Sequence, residues 1–310
     1  MEAIVRVPMP DGIRLACHPY RPENVRGVIL LIPGFVLIGK DYVQFCTALS
    51  RMLGCVVYAL DLRGQGESEG ESGDIAHAGQ LCEDIRAVLE ELRARHGGLP
   101  TWLAAHSSGN SLMLRFLEHT GGGLQQGLIF ISPSFPGKLE LERRSTRMHR
   151  LRYRLRYRRP QPPVPAVAQY ALQTFTYSPF KDLLARCLPV LGSLRVLSVS
   201  RPGVDSLSRF SSRYLRGYYC ADPRRALAGI SCPAWMLIGG LDEYAIPESI
   251  VGLFKWHTPP GFLRTAERIE NVGHFSIFRV APALIANWLR PALGRGVPAN
   301  AETTPPATSG

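Results

Sequence analysis

The chain has 310 residues, enough for one large domain or two smaller ones, and its 45% hydrophobic and 20% charged residues are typical of a globular protein with a substantial core. The formal net charge is +11, but Arg143–Arg159 contains nine arginines and no acid, which leaves only +2 for the rest of the chain. Seven cysteines without a Cys-x-x-Cys pair or metal-ligand spacing predict reduced thiols and argue against a disulfide framework. The apolar run at 28–39 is too short to cross a bilayer and the first 25 residues contain acids, so we expect a soluble, cytoplasmic protein.

Strand and helix patterns alternate along the first part of the chain. Most of the predicted strands are continuous aliphatic runs, typical of parallel strands buried on both faces, and they cover residues 3–7, 13–18, 27–32, 55–60, 101–105 and 127–132. The predicted helices have apolar residues at helical spacing and cover residues 42–52, 76–95 and 109–119. This alternation predicts an α/β fold with a mostly parallel central sheet, right-handed crossovers and helices on both faces.

The alternation stops at residue 133, where the chain becomes rich in arginine, proline and aromatic residues. It resumes with a strand, a helix, a strand and a helix at residues 234–239, 246–256, 262–269 and 275–289. We therefore predict a core formed by residues 1–132 and 228–294 and a basic, proline-rich cap inserted at 133–227. Residues 295–310 are small, polar and proline-containing, which predicts a disordered tail.

The most informative motif is Ala-His-Ser-Ser-Gly at residues 105–109, between a predicted strand and a predicted helix. A strand that turns sharply into a helix can expose a nucleophilic serine, provided that the flanking residues are small. Ala105 and Gly109 meet this demand around Ser107, whereas a nucleophile at Ser108 would place larger residues at the tight positions. An ordinary turn with a serine helix cap is the alternative for this motif alone.

A serine hydroxyl becomes a good nucleophile only when a base removes its proton, and the base needs an acid to orient it. His274 lies in a predicted loop, and Gly273 before it would allow a tight turn. Asp242 follows the strand at 234–239, so it would lie at the carboxyl end of the sheet, where open α/β sheets place their sites. Glu243 is the alternative acid. Nucleophile, acid and base in this chain order predict a Ser107, Asp242 and His274 triad.

Acyl transfer by such a triad requires two hydrogen-bond donors for the oxyanion that develops on the substrate. We assign the backbone N–H groups of Phe35 and Ser108, because Gly34 lets the loop after the third strand approach the serine closely. This chemistry implies no metal and no organic cofactor.

Residues 61–68, Asp-Leu-Arg-Gly-Gln-Gly-Glu-Ser, form a glycine-punctuated segment that we interpret as a structural turn held by an aspartate side chain. Together with the motif at 105–109 and the spacing from Asp242 to His274, this segment resembles the α/β-hydrolase superfamily, and within it the lysophospholipase and monoacylglycerol-lipase-like branch. The resemblance covers about residues 1–132 and 228–294.

Three residues depart from the pattern of that branch. Ala105 stands in place of its usual glycine before the motif's histidine, Asn110 in place of a frequent second glycine, and Pro33 in place of a common histidine before the oxyanion glycine. No predicted triad member is replaced and no main-chain donor is lost.

The triad predicts a serine hydrolase that cleaves a carboxylic ester or thioester through an acyl-enzyme. An acyltransferase with the same triad and a non-catalytic ligand-binding or partner-binding protein remain alternatives. We expect Gly34 and several aromatic residues of the cap to shape a site for an apolar acyl chain, namely Phe135, Tyr153, Tyr157, Phe175, Tyr177 and Phe180.

The arginines of Arg143–Arg159 could contact anionic headgroups or a membrane surface, or they could form a solvated basic face. No recognised nucleic-acid-binding fold accompanies them, so we do not expect nucleic acid as a partner.

Overall fold

The computed structural model describes residues 3–137, 141–142, 174–200 and 208–293, with single positions at 151, 154, 155, 158 and 160. The predicted tail at 295–310 lies outside the described residues, as do Tyr153, Tyr157 and most of Arg143–Arg159. Of Phe175, only the backbone is described.

Two sheets account for the strands of the described residues. The strands are β1 Val5–Pro8, β2 Arg14–Tyr20, β3 Gly27–Ile32, β4 Cys55–Leu60, β5 Thr101–His106, β6 Gly127–Ile131, β7 Thr174–Tyr177, β8 Arg195–Ser200, β9 Ser208–Ser211, β10 Ala234–Gly239 and β11 Leu263–Ile269. Eight of them form the central sheet in the order β1-β2-β4-β3-β5-β6-β10-β11. The pairs from β4 to β11 are parallel, and β1 and β2 pair antiparallel at one edge.

Helices cover both faces of the central sheet, as the alternation predicts. The helices are α1 Val43–Leu53, α2 Gln80–Arg95, α3 Gly109–Thr120, α4 Pro179–Cys187, α5 Ser212–Tyr218, α6 Pro223–Ala228, α7 Pro247–His257 and α8 Ala281–Leu293. The apolar side chains of α2, α3 and α7 form the core on one face, and those of α1 and α8 form the core on the other. Strands β3, β4, β5, β6 and β10 are buried along their whole length, which is why their sequences are aliphatic without polar alternation.

Two helices differ from their predicted bounds for local reasons. Helix α2 begins at Gln80 rather than at 76, because the Gln80 side chain accepts a hydrogen bond from the Ala76 N–H and holds the preceding residues in a turn. The helix predicted at 275–289 is a short 3-10 turn, Ser276–Arg279, followed by α8. Pro282 lies at the second position of α8, where its missing N–H leaves no helical hydrogen bond unmade.

Between β6 and β10, where the sequence predicts a cap, the described residues form a separate antiparallel sheet in the order β7-β8-β9. Arg213 lies in α5, and its guanidinium donates to both carboxylate oxygens of Asp74 at 2.7 and 2.8 Å. These hydrogen bonds attach α5 to the loop before α2. Ser211 donates to the same carboxylate at 2.5 Å. No helix among the described residues is long and apolar enough to span a bilayer.

Candidate active site

Three side chains meet at the carboxyl edge of the central sheet. Ser107 directly follows β5, Asp242 lies three residues beyond β10, and His274 lies in the loop after β11. Because β5, β6, β10 and β11 are neighbouring parallel strands, their carboxyl ends open on the same edge, which is where sites form in sheets of this kind.

The backbone at Ser107 adopts the strained turn that the motif predicts. Its φ is 55°, in the left-handed region that side chains other than glycine rarely adopt. Gly109 must lack a side chain, since a Cβ there would collide with the carbonyl oxygen of Pro33. The Asn110 amide donates to the backbone oxygens of Ser107 at 2.8 Å and Ile131 at 3.1 Å. Asn110, which departs from the family pattern, therefore fastens the turn to β6.

A continuous hydrogen-bonded chain joins the three predicted triad residues. His274 Nε2 lies 2.8 Å from Ser107 Oγ, and His274 Nδ1 lies 2.7 Å from Asp242 Oδ2. Asp242 and His274 are buried. The second carboxylate oxygen, Asp242 Oδ1, accepts from the backbone N–H groups of Tyr244 at 2.9 Å and Ala245 at 2.8 Å. These two amides fix the direction in which the carboxylate faces the imidazole.

The partners of His274 define what its two ring nitrogens can do. A carboxylate can only accept, so Asp242 holds the proton of His274 on Nδ1 and leaves a lone pair on Nε2. That lone pair faces the Ser107 hydroxyl and can take its proton. Glu243, the alternative acid in the sequence, contacts the backbone nitrogen of His274 rather than its imidazole.

A buried hydrogen-bond chain behind the site escaped the sequence analysis. The Tyr42 hydroxyl accepts from the Gly34 N–H at 2.8 Å and lies 3.1 Å from His106 Nδ1, while His106 Nε2 lies 3.4 Å from the carbonyl oxygen of His274. Burial lowers the pKa of His106 well below its usual range, and the neighbouring His274 adds to this effect. His106 is therefore a neutral link between the loop after β3 and the loop that carries His274.

The two predicted oxyanion donors lie close together, but one of them already has a partner. The Phe35 N–H donates to the side-chain oxygen of Ser108 at 3.1 Å. The Ser108 N–H points from the start of α3, where helix amides lack internal acceptors, and it has no acceptor among the described residues. Gly34 packs tightly beside Ser107, since a Cβ on it would lie 3.0 Å from the Ser107 Cβ.

Aromatic side chains that the sequence analysis did not assign to the site surround Phe35. Its ring centroid lies 4.3 Å from that of Phe210, 5.0 Å from Tyr218 and 5.7 Å from Tyr219. Phe135 is also buried, whereas Tyr177 and Phe180 are exposed. The spacing of Phe210, Tyr214 and Tyr218 by four residues is the signal that could have pointed to this group.

The segment at 61–68 forms a turn that is held by the Asp61 side chain, as the sequence predicts. The Asp61 side chain is fully buried, and it accepts from the N–H groups of Gly39 at 2.6 Å and Glu67 at 2.8 Å. The Asp61 carboxylate also contacts the side chain of His18, at 2.8 Å from its Nε2. Within the part of the chain that the structure describes, no group of three or more His, Cys, Asp or Glu side chains is placed to hold a metal ion.

Comparisons with known proteins agree with this fold. Residues 23–171 match the model of the Hydrolase_4 family, described as serine aminopeptidase, S33. The chain is 27% identical over 106 residues to the monoacylglycerol lipase of Mycolicibacterium smegmatis, which covers 34% of this chain and 38% of that protein. It is 27% identical over 127 residues to the monoglyceride lipase of Homo sapiens, which covers 40% of each. The matches thus span about two fifths of these relatives.

Among solved structures, the fold is similar to a soluble variant of monoglyceride lipase from Saccharomyces cerevisiae in complex with a substrate analogue. The TM-score is 0.61 at 17% identity, over 94% of this chain and 95% of that one. The fold and the arrangement at the sheet edge are those of the α/β-hydrolase fold. The chain has the α/β-hydrolase fold, and it is similar to proteins of the monoacylglycerol-lipase-like branch.

Proposed function

We propose that the protein is a serine hydrolase that cleaves carboxylic esters through an acyl-enzyme formed on Ser107. The observation that carries the proposal is the unbroken contact from Ser107 Oγ through His274 to Asp242, with both links shorter than 3 Å. Each of the three groups has the partner that its chemical role demands.

In the first half of the reaction, His274 Nε2 takes the proton of Ser107 as its Oγ attacks the carbonyl carbon of the ester. Asp242 stabilises the imidazolium that forms, and the donors near Ser108 stabilise the negative charge on the former carbonyl oxygen. When the tetrahedral intermediate collapses, the bond to the alcohol breaks and the alcohol leaves with the proton from His274. The acyl group remains bound to Ser107.

In the second half, a water molecule loses a proton to His274 Nε2 and attacks the acyl carbon. The second tetrahedral intermediate then releases Ser107, which regains its proton from His274, and the products are a carboxylic acid and the free enzyme. The same acyl-enzyme would form from a thioester. An alcohol acceptor in place of water would give acyl transfer.

An acyl ester of a lipid is the substrate class that the surroundings of the site favour. The names of the relatives refer to monoacylglycerols, and the buried aromatic group around Phe35 makes the region beside the oxyanion loop apolar. A buried apolar surface binds an acyl chain through the hydrophobic effect and contributes roughly 0.8 kcal/mol for each methylene group that it covers.

We further propose that helix α4 docks on an anionic lipid surface. Its inner face buries Asp182 and Ala185, whereas Phe180 and Leu183 are 74% and 60% exposed on its outer face. An ordinary surface helix turns its large apolar residues inward, whereas α4 exposes these two to solvent. The arginines of Arg143–Arg159 supply the positive charge that anionic headgroups attract.

A fluorophosphonate probe and an ester panel test the catalytic proposal directly. The wild-type protein should be labelled on Ser107 and should hydrolyse p-nitrophenyl esters of graded chain length and a monoacylglycerol. Ser107→Ala should lose both activities, whereas Ser72→Ala, at an exposed serine outside the site, should keep both. Equal hydrolysis by Ser107→Ala, or labelling of another residue, would overturn the proposal. A thioester, an aminoacyl amide and an added alcohol acceptor would identify the leaving group and the acceptor.

A further inference from the structure

The residue after the nucleophile carries a hydroxyl whose position suits a role in the reaction. Ser108 is buried, and its Oγ accepts the Phe35 N–H at 3.1 Å. In the sequence analysis this N–H is one of the two oxyanion donors, and the other is the backbone N–H of Ser108 itself. The covalent structure of serine keeps its hydroxyl close to its own amide. The hydroxyl therefore lies beside both main-chain donors.

The hydrogen bonds that the Ser108 hydroxyl already makes determine whether its proton or a lone pair is available to a substrate. A serine hydroxyl has one proton to donate and two lone pairs that accept. The Phe35 N–H occupies a lone pair. The other contact among the described residues is the Tyr218 hydroxyl at 3.5 Å, which is long for a bond between two hydroxyl groups. The Ser108 proton therefore lacks a strong acceptor in the described part of the chain.

We propose that the Ser108 hydroxyl is a catalytic oxyanion donor, so that Ser108 contributes both its N–H and its O–H to the substrate oxygen. This assignment rests on the proposed acyl transfer at Ser107. The proton stays on Ser108 throughout and makes a hydrogen bond to the oxyanion as negative charge develops there. Hydrogen bonds from a hydroxyl to an anionic oxygen are short and about twice as strong as those between neutral groups.

In this arrangement the Phe35 N–H acts through the hydroxyl rather than on the substrate. A hydroxyl that accepts a hydrogen bond becomes a better donor, because linked hydrogen bonds polarise one another. The direct contact between the Phe35 N–H and the oxyanion, expected from the sequence, is thus replaced by a relay from Phe35 through Ser108. The structure fixes the start of this relay, since the Phe35 ring packs among Phe210, Tyr218 and Tyr219.

Tyr218 is a positioning residue for the same hydroxyl. It donates to the carbonyl oxygen of Pro33 at 3.3 Å, one residue before Gly34 and two before Phe35. Burial raises the pKa of Tyr218, so its hydroxyl keeps the proton that this contact requires. With its proton on Pro33, the Tyr218 oxygen faces Ser108 Oγ as a weak acceptor and leaves the Ser108 proton free to turn to the substrate.

Kinetics of Ser108→Ala and Ser108→Thr on a soluble p-nitrophenyl ester test the assignment. Loss of one oxyanion donor lowers kcat by roughly 10²- to 10³-fold in enzymes of this kind. We expect about a hundredfold loss of kcat in Ser108→Ala with little change in KM, and recovery of most of it in Ser108→Thr, which restores the hydroxyl. Affinity for a boronic acid that forms a tetrahedral adduct should fall in parallel, and the thermal unfolding midpoint should stay near that of the wild type.

The outcomes separate this assignment from the proposed function. If Ser108→Ala keeps the wild-type kcat, the hydroxyl does not act in catalysis. If the kcat of Ser108→Ala rises, the hydroxyl instead prevents the Phe35 N–H from binding the substrate oxygen. The Ser108 side chain must then rotate away before the substrate can bind. Either result overturns the assignment while Ser107 remains the nucleophile. If Ser108→Thr does not fold because threonine is too large for the buried site, the affinity of folded Ser108→Ala for the boronic acid tests the assignment. Unchanged affinity would overturn it. If the proposed function is wrong, the wild-type protein will neither hydrolyse esters nor be labelled by the fluorophosphonate. That result would appear before any Ser108 variant is measured.

Discussion

Glu243 holds the backbone of His274, since its Oε2 lies 2.6 Å from the His274 nitrogen and accepts its N–H. Gly273 makes this contact possible, because a Cβ on it would lie only 2.6 Å from Glu243 Oε1. Two adjacent acids therefore act on one histidine. Asp242 contacts the imidazole and Glu243 contacts the main chain. The contact with Glu243 restricts the orientation of the His274 backbone and therefore of its ring. We expect Glu243 to act as a positioning residue for the proposed base.

Replacing Glu243 should reduce turnover without changing substrate affinity. A hydrogen bond to a charged group contributes about 1.5–3 kcal/mol, so a less firmly held His274 in Glu243→Ala should lower kcat by roughly tenfold. Glu243→Gln keeps an oxygen that accepts the same N–H, and it should retain at least a third of the wild-type kcat. Steady-state kinetics on a soluble ester would measure both values. Equal losses in the two variants, or a rise in KM instead of a fall in kcat, would contradict the positioning role.

Replacing Asp242 should affect catalysis far more than folding. In Asp242→Asn the oxygen can still accept from the N–H groups of Tyr244 and Ala245, while the amide faces His274 Nδ1 and donates to it. The imidazole proton then moves to Nε2, and the ring can no longer accept the proton of Ser107. We expect kcat to fall by about 10⁴-fold at nearly constant KM, as found when a triad aspartate becomes asparagine. A variant that kept a tenth of the wild-type kcat would show that Asp242 is not the orienting acid.

The sequence predicts the elements on either side of Ser107 closely because their signals are local. The apolar run at 101–105 ends one residue before β5, which ends at His106, and the helix predicted from Gly109 begins at Gly109. Small residues, a strand and a helix lie within about twenty positions of one another. Side-chain size and hydrophobic period therefore suffice to place Ser107 on its turn.

The supporting contacts depend on loops that are distant in the sequence. Tyr42 and His106 are 64 positions apart, and Tyr218 reaches the Pro33 carbonyl across 185 positions. Nothing in the residues next to Tyr42 indicates that its hydroxyl meets a backbone amide after β3. The contact of Ser108 Oγ with Phe35 is hidden in the same way, because an N–H is present at almost every position and only the packed loop shows where it points.

The buried His106, which directly precedes Ser107, should make stability depend on pH. Burial lowers the pKa of His106 well below the value of about 6.5 that it has in the unfolded chain. Below that value the unfolded chain binds a proton that the folded chain does not, so this contribution to stability is present above about pH 6.5 and is lost as the pH falls. The expected slope is at most about 1.4 kcal/mol for each pH unit.

Urea unfolding between pH 5 and 7.5 would measure this slope for the wild type and for His106→Asn. The variant should be less stable at pH 7.5, because it loses contacts with Tyr42 and the His274 carbonyl, but its free energy of unfolding should fall less steeply with acid. His77→Asn, at an exposed histidine, is the matched control and should keep the wild-type slope. Parallel curves for the wild type and His106→Asn would show that another group is responsible.

The exposed apolar face of α4 should matter for binding to lipid and not for the chemistry at Ser107. Replacing Phe180 and Leu183 by glutamate removes two apolar contacts with the acyl region and adds negative charge, so binding to vesicles rich in phosphatidylglycerol should fall at least tenfold. Hydrolysis of a short, soluble ester should stay unchanged, because both side chains are exposed to solvent and their replacement should not disturb the packing of α4 on the rest of the protein. Trp256→Glu, at an even more exposed apolar residue on α7, is the control and should bind vesicles as the wild type does. Binding that is the same on phosphatidylcholine and insensitive to salt would contradict the part assigned to Arg143–Arg159, since attraction between charges weakens with ionic strength. A double variant that binds normally would instead contradict the part assigned to α4.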